Sequence, residues 1–140
     1  MKNVYEIFDE FEAAGNKQER MEVIGKNLSR MLTEVFLFGY HPDYEWHFKE
    51  MPDNYRPKDV PQGMSYLQLS TELRKFYLYR KGDPTSDKLT TEKRTQLLLE
   101  LLENLEPREA EVVMGIFNKD FGVKGLNYKF VKEAFPNLLP

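Results

Sequence analysis

Apolar residues recur at intervals of three and four along most of the chain, the spacing that lays one apolar stripe along a helix. Val4, Ile7, Phe8 and Phe11 form the first stripe. Asn3 caps it, Glu6 completes a capping box, and Gly15 closes a helix over 3–14. The logic repeats over 16–28, with Asn16 as cap and Met21, Val23, Ile24 and Leu28 as apolar positions. Ser29 opens a third helix through Met31, Leu32, Val35, Phe36 and Phe38 to Gly39, the most apolar segment and so the expected centre of the core. A fourth helix, over 65–81, carries Tyr66, Leu69, Leu73, Phe76, Tyr77 and Tyr79 or Arg80, and a turn over 83–87 follows it. Thr90 caps a fifth, whose core side is Leu97, Leu98, Leu101, Leu102 and Leu105. Pro107 starts another, because its missing N–H would be unpaired at a first helical position anyway. Val112, Val113, Ile116 and Phe117 are its buried face. Gly122 and Gly125 break the pattern, Asn127 caps a last short helix with Phe130, Val131, Ala134 and Phe135, and Pro136 stops it.

The stretch 40–64 departs from this pattern. Pro42, Pro52, Pro57 and Pro61 forbid a long helix and remove ladder donors from any strand. Tyr44, Trp46, Phe48 and Tyr55 are scattered between them, and such aromatics pin an irregular crossing against the helices. The sequence therefore predicts an all-α fold, a compact bundle of about six to seven helices with one long proline-rich irregular crossing. No repeat, low-complexity tract or internal boundary divides 1–140, so a single helical domain is expected.

Composition narrows the class. The 140 residues are 41% hydrophobic and 31% charged, an ordinary globular balance. No apolar run approaches the ~20 residues of a membrane span, and the N-terminus lacks an apolar secretion core. With no cysteine there are no disulfides or thiolate metal sites. A cytoplasmic protein is expected, in the host cell cytoplasm if the protein is viral.

Little points to catalysis. His41 and His47 are the only histidines, too few for a zinc frame or a convincing Ser-His-Asp arrangement. No metal, cofactor or catalytic residue is assigned. Glu100 and Glu103 have the spacing of a solvated helix face. Net charge is −3, which opposes tight nonspecific DNA binding unless a local basic patch exists. Charge is in fact segregated. The first 25 residues are acidic, while Arg74, Lys75, Arg80, Lys81, Lys88, Lys93 and Arg94 form one basic cluster and Lys119, Lys124, Lys129 and Lys132 another. Tyr77 and Tyr79 beside Arg80, and Tyr128 beside Lys129, have the interleaving of base-stacking platforms, although aromatics at helical spacing are more often core.

One phrase carries a resemblance. Asp120, Gly122 and Lys124, then Phe135-Pro136-Asn137-Leu138-Leu139-Pro140, resemble the end of the all-helical N-terminal DNA-binding domain of ATP-dependent DNA ligases, phage ligases most of all. Asn137 stands where that family usually has Gly. The chain is also similar to small uncharacterised proteins of large tailed phages. The resemblance implies a duplex-binding fold whose Gly turn and neighbouring helix ends touch phosphates across the minor groove. In this chain those positions are Lys119, Gly122, Lys124, Gly125, Lys129 and Lys132, with Arg80 and Lys81 nearby. Ligase chemistry needs a Lys-x-Asp-Gly nucleophile, and the nearest match, Lys81-Gly82-Asp83-Pro84, has the wrong fourth residue. The chain stops where a ligase would begin its nucleotidyltransferase domain.

Two non-enzymatic readings follow. In the first, the protein is a phage accessory factor that binds duplex DNA backbone weakly and without sequence preference, with a log–log salt slope of about −4 to −5. In the second, it is an adaptor docking on a replication or transcription protein through the acidic N-terminal helix and the crossing's Tyr44, Trp46 and Tyr55, because Tyr and Trp are favoured at interfaces.

Overall fold

A computed structural model describes residues 2–58, 61 and 64–140. Among them the helices are α1 (Val4–Ala13), α2 (Lys17–Lys26), α3 (Arg30–Tyr40), α4 (Leu69–Glu72), which runs into a 3₁₀ segment (Leu73–Tyr79), α5 (Pro84–Asp87), α6 (Thr91–Asn104), α7 (Pro107–Asn118) and α8 (Tyr128–Ala134). The described residues contain no strand, only an isolated antiparallel bridge between Trp46 and Arg80. The fold is all-α.

The caps form where the sequence places them. Side chains of Asn16, Ser29, Thr90 and Asn127 accept backbone N–H groups three residues on, at 2.9–3.1 Å. Each satisfies a donor that the first helical turn leaves unpaired. Gly15 behaves otherwise. Helix α1 ends at Ala13, Ala14 turns extended, and the Gly15 amide donates to the Glu19 carboxylate at 2.7 Å.

Helix α3 packs along α7, and α1 and α6 cover α7 from other sides. Leu32, Val35, Phe36, Val113 and Ile116 are fully buried at this centre, as expected for the most apolar segment. Phe121 wedges between the two helices. An added Cβ would lie 2.6 Å from the Phe121 ring at Gly115 and 2.8 Å from it at Gly39. These two glycines are thus a slot cut for one ring, which also meets Phe8 and Tyr40 at centroid distances of 5.1 and 5.6 Å.

Three expected core residues lie outside the core. Leu28 is 60% exposed because α2 ends at Lys26 and the chain has left the helix before reaching it. Tyr66 precedes α4 and is likewise exposed. Tyr77 is 47% exposed because the expected α-helix over 65–81 is instead a short α-helix continued as 3₁₀. Three residues per turn stack Leu73, Phe76 and Tyr79 on the inner edge, where 3.6 per turn would have placed Tyr77. The expected turn over 83–87 is helix α5, with Asp83 accepting from the Thr85 N–H at 2.9 Å and Pro84 at its first position.

The surface ion pair between Asp9 and Arg108 ties α1 to α7 through two 2.7 Å hydrogen bonds. The guanidinium holds the Asp9 carboxyl below its ordinary value of 3.8. A carboxyl with a depressed folded pKa contributes stability above its unfolded pKa and loses it as pH falls. Exposure screens the pair, so Arg108→Ala costs under about 1 kcal/mol at neutral pH. Thermal melts should show the wild-type advantage shrinking below about pH 4. An unchanged difference at pH 3, or a loss of several kcal/mol at pH 7, would contradict this account.

Candidate functional site

The crossing is anchored first. The Trp46 indole N–H donates to the Phe38 carbonyl at 3.2 Å, and its ring lies against Phe38, Phe76 and Phe117. Main-chain bonds then lace 45–47 to the end of the 3₁₀ segment and the chain just after it. The His47 N–H donates to the Tyr79 carbonyl at 2.9 Å, and the Lys81 N–H to the Glu45 carbonyl at 2.8 Å. Asp87 completes the clasp, accepting the Gly82 N–H at 3.1 Å and facing His47 Nε2 at 3.0 Å. Gly82 has φ of +90°, which only glycine adopts cheaply at this turn. Together these bonds fix Lys81 beside the crossing.

Lys119 arrives from the other side. It follows α7 in a left-handed conformation, φ 62° and ψ 27°, that costs a non-glycine residue about 1 kcal/mol. The Asp120 N–H reaches back to the Gly115 carbonyl and the Lys119 N–H to Ile116, which closes the helix end in a Schellman motif. The side chain then crosses to α3, where Nζ donates to the Phe38 and His41 carbonyls at 3.3 and 2.9 Å. Partial burial pushes the Lys119 pKa down, while the Glu45 carboxylate pushes the other way. An ammonium has three donors, so one N–H remains uncommitted.

Lys81 and Lys119 line a cleft of about 500 Å³ with Lys49, Tyr40, Tyr44 and Tyr128. Lys49 and Lys81 are exposed, and among the described residues neither is in an ion pair. Glu45 is the one carboxylate in the described wall. Burial, and secondarily Asp120, raises the Tyr40 pKa, so this hydroxyl stays protonated. Lys49 had no signal in the sequence, because an irregular segment has no periodicity to show which way its side chains turn.

Other expected site residues are placed differently. The Gly122 amide donates to the Asp120 carboxylate at 2.8 Å, and Gly122 borders a notch that also holds Asp9, Glu12 and Glu111. Gly125 packs against Arg20, whose guanidinium would lie 2.7 Å from an added Cβ. The turn thus commits the Gly122 amide to Asp120 and the Leu126 amide to the Val123 carbonyl, and sets carboxylates beside it. Lys124, Lys129 and Lys132 are exposed but lie outside the cleft. Arg80 lies over the Tyr44 ring at 4.2 Å and donates to the Asp43 carbonyl at 3.1 Å. Trp46 is only 4% exposed, so as a docking residue it is corrected to a core residue. Tyr44 stacks on it and is half-buried, as is Tyr55. His41 and His47 serve separate local networks: His41 Nδ1 accepts the Asp43 N–H at 3.1 Å, while His47 faces Asp87.

Fold and site together define an all-helical protein with a lysine-lined, aromatic-walled cleft where α3, the crossing and the end of α7 meet. The chain belongs to a family of unknown function, DUF6433, which matches it over residues 7–123. All the cleft residues named above except Tyr128 lie within that match, whereas the ligase-like Phe-Pro phrase lies outside it. No curated protein matches the chain. Among the described residues no helix is long and apolar enough to cross a membrane.

Proposed function

We propose that this protein is a non-catalytic DNA-binding protein that grips phosphate backbone weakly and without sequence preference at the Lys49–Lys81–Lys119 cleft. The observation that carries the reading is the convergence of three lysines from separate parts of the chain on one cleft, in a protein of net charge −3. The exposed ammonium groups of Lys49 and Lys81, with the one uncommitted N–H of Lys119, gain by displacing the counterions condensed on a polyanion. Lysines act as point charges on phosphate and carry no base-reading geometry, which accounts for the absence of sequence preference. The likeness to phage ligase DNA-binding domains supports an accessory role in phage DNA metabolism, with the contact moved from the Gly turn to the cleft.

Anisotropy titration of a labelled duplex of about 20 bp, at about 50 and about 200 mM salt, tests the reading. About three phosphate contacts give a log–log slope near −3. No binding at the lower salt, or a slope near zero, defeats it. The exposed Met64 and Tyr66, at 67% and 77%, then become the surface from which to seek a protein partner.

A further inference from the structure

The cleft does not end at Tyr44. Tyr44 and Trp46 also line a groove of about 410 Å³ beside the 3₁₀ segment, together with Arg74, Tyr77 and Arg80. That groove shares Arg30, Glu34 and Arg74 with a third concavity of about 440 Å³, which reaches Ser29 on one side and Ser70 and Thr71 on the other. The three form one track. Lys119, Lys49, Lys81, Arg80, Arg74 and Arg30 are set along it, against Glu45 and Glu34. Glu34 is already held by Arg30 at 2.9 Å, and Arg74 is exposed with no ion pair among the described residues.

Rings alternate with these charges. Tyr128 stands at one end, 37% exposed, its hydroxyl held by the Pro140 carbonyl. In the middle the Arg80 guanidinium lies on Tyr44, which in turn stacks on Trp46 with planes 19° apart. Tyr77, 47% exposed, stands in the groove beyond. This is the residue that the 3₁₀ register turns out of the core.

A duplex hides the faces of its bases and offers a protein only phosphates and groove edges. An unpaired strand offers phosphates to cations and a π-face to every exposed ring. Exposed tyrosines set among cations are therefore surplus on a duplex and useful on a single strand. We propose that the track binds single-stranded nucleic acid, with Tyr77 and Tyr128 stacking on bases and Arg74, Lys81 and Lys49 meeting phosphates. The proposal rests on the backbone-binding reading above and names its ligand class.

The test compares labelled oligo-dT and oligo-rU of about 15 nucleotides with a duplex of equal length at low salt. The expected result is affinity for the single strands at least about fivefold above that for the duplex. Comparable dT and rU affinities assign the track to either sugar, and a preference names the sugar. Tyr77→Ala should weaken single-strand binding about fivefold or more and leave duplex binding unchanged, whereas Tyr77→Phe, which keeps the ring, should retain it. Because Tyr77 is exposed, the fold should survive truncation, which a melt of each variant verifies. Equal or tighter duplex binding, or indifference to Tyr77→Ala, overturns the single-strand proposal and leaves the backbone-binding reading standing. No binding to any of the three overturns both.

Discussion

Reversing charge at Lys49 and Lys81 together abolishes measurable nucleic-acid binding while the protein stays folded. Both side chains are exposed and, among the described residues, outside any ion pair, so neither Lys49→Glu nor Lys81→Glu removes a described structural contact. Each lost phosphate contact flattens the salt slope by about one unit, and each glutamate adds repulsion where there was attraction. Loss of about a hundredfold in affinity is expected for the pair. Lys119 is the wrong residue for this experiment. Its ammonium holds the Phe38 and His41 carbonyls, so replacing it would mix a folding defect with a binding defect. Lys124→Glu with Lys129→Glu is the informative control, since both residues lie outside the cleft. Anisotropy should show that control within a few-fold of wild type. If instead the turn variants lose binding and the cleft variants keep it, the interface belongs on the Gly turn.

Trp46→Ala destabilises the fold by about 3–5 kcal/mol and lowers the melting temperature by roughly 10 °C or more. The indole is 4% exposed, wedged among Phe38, Phe76 and Phe117 at centroid distances of 5.2–6.0 Å, and its N–H is satisfied by the Phe38 carbonyl. Truncation leaves a cavity with aromatic walls and removes one of the two donors on that carbonyl, the other being Lys119 Nζ. It also loosens the bridge to Arg80, and with it the bonds that fix Lys81 beside the crossing. Binding should therefore fall along with stability, and Trp46→Phe should recover most of both. Trp46 is the only tryptophan, so its fluorescence follows unfolding from within this cluster. A variant that melts within a few degrees of wild type would show the crossing to be loosely attached, and would restore Trp46 as a docking residue.

These two variants mark the boundary between local and long-range information. Stripes at helical spacing, the caps at Asn16, Ser29, Thr90 and Asn127, and the proline stops act within about four residues, and such interactions are written in consecutive letters. The all-α class, the helix order, the buried faces of α1, α3, α6 and α7 and the segregation of charge were legible for that reason. What could not be read depends on partners far along the chain. Tyr77 faces outward because the core packs a 3₁₀ edge, Trp46 faces inward because Phe38, Phe76 and Phe117 surround it, and Gly39 and Gly115 matter because Phe121 fits between them. Lys49, Lys81 and Lys119 are 32 and 38 residues apart in sequence, as the numbering gives (81 − 49 and 119 − 81), and share one cleft. Tertiary packing turned Lys119 and Gly122 from apparent neighbours on one surface into residues of different surroundings, one capping α3 beside the cleft and the other beside carboxylates. No spacing rule carries that information, because it arises only when helices distant in sequence are pressed together.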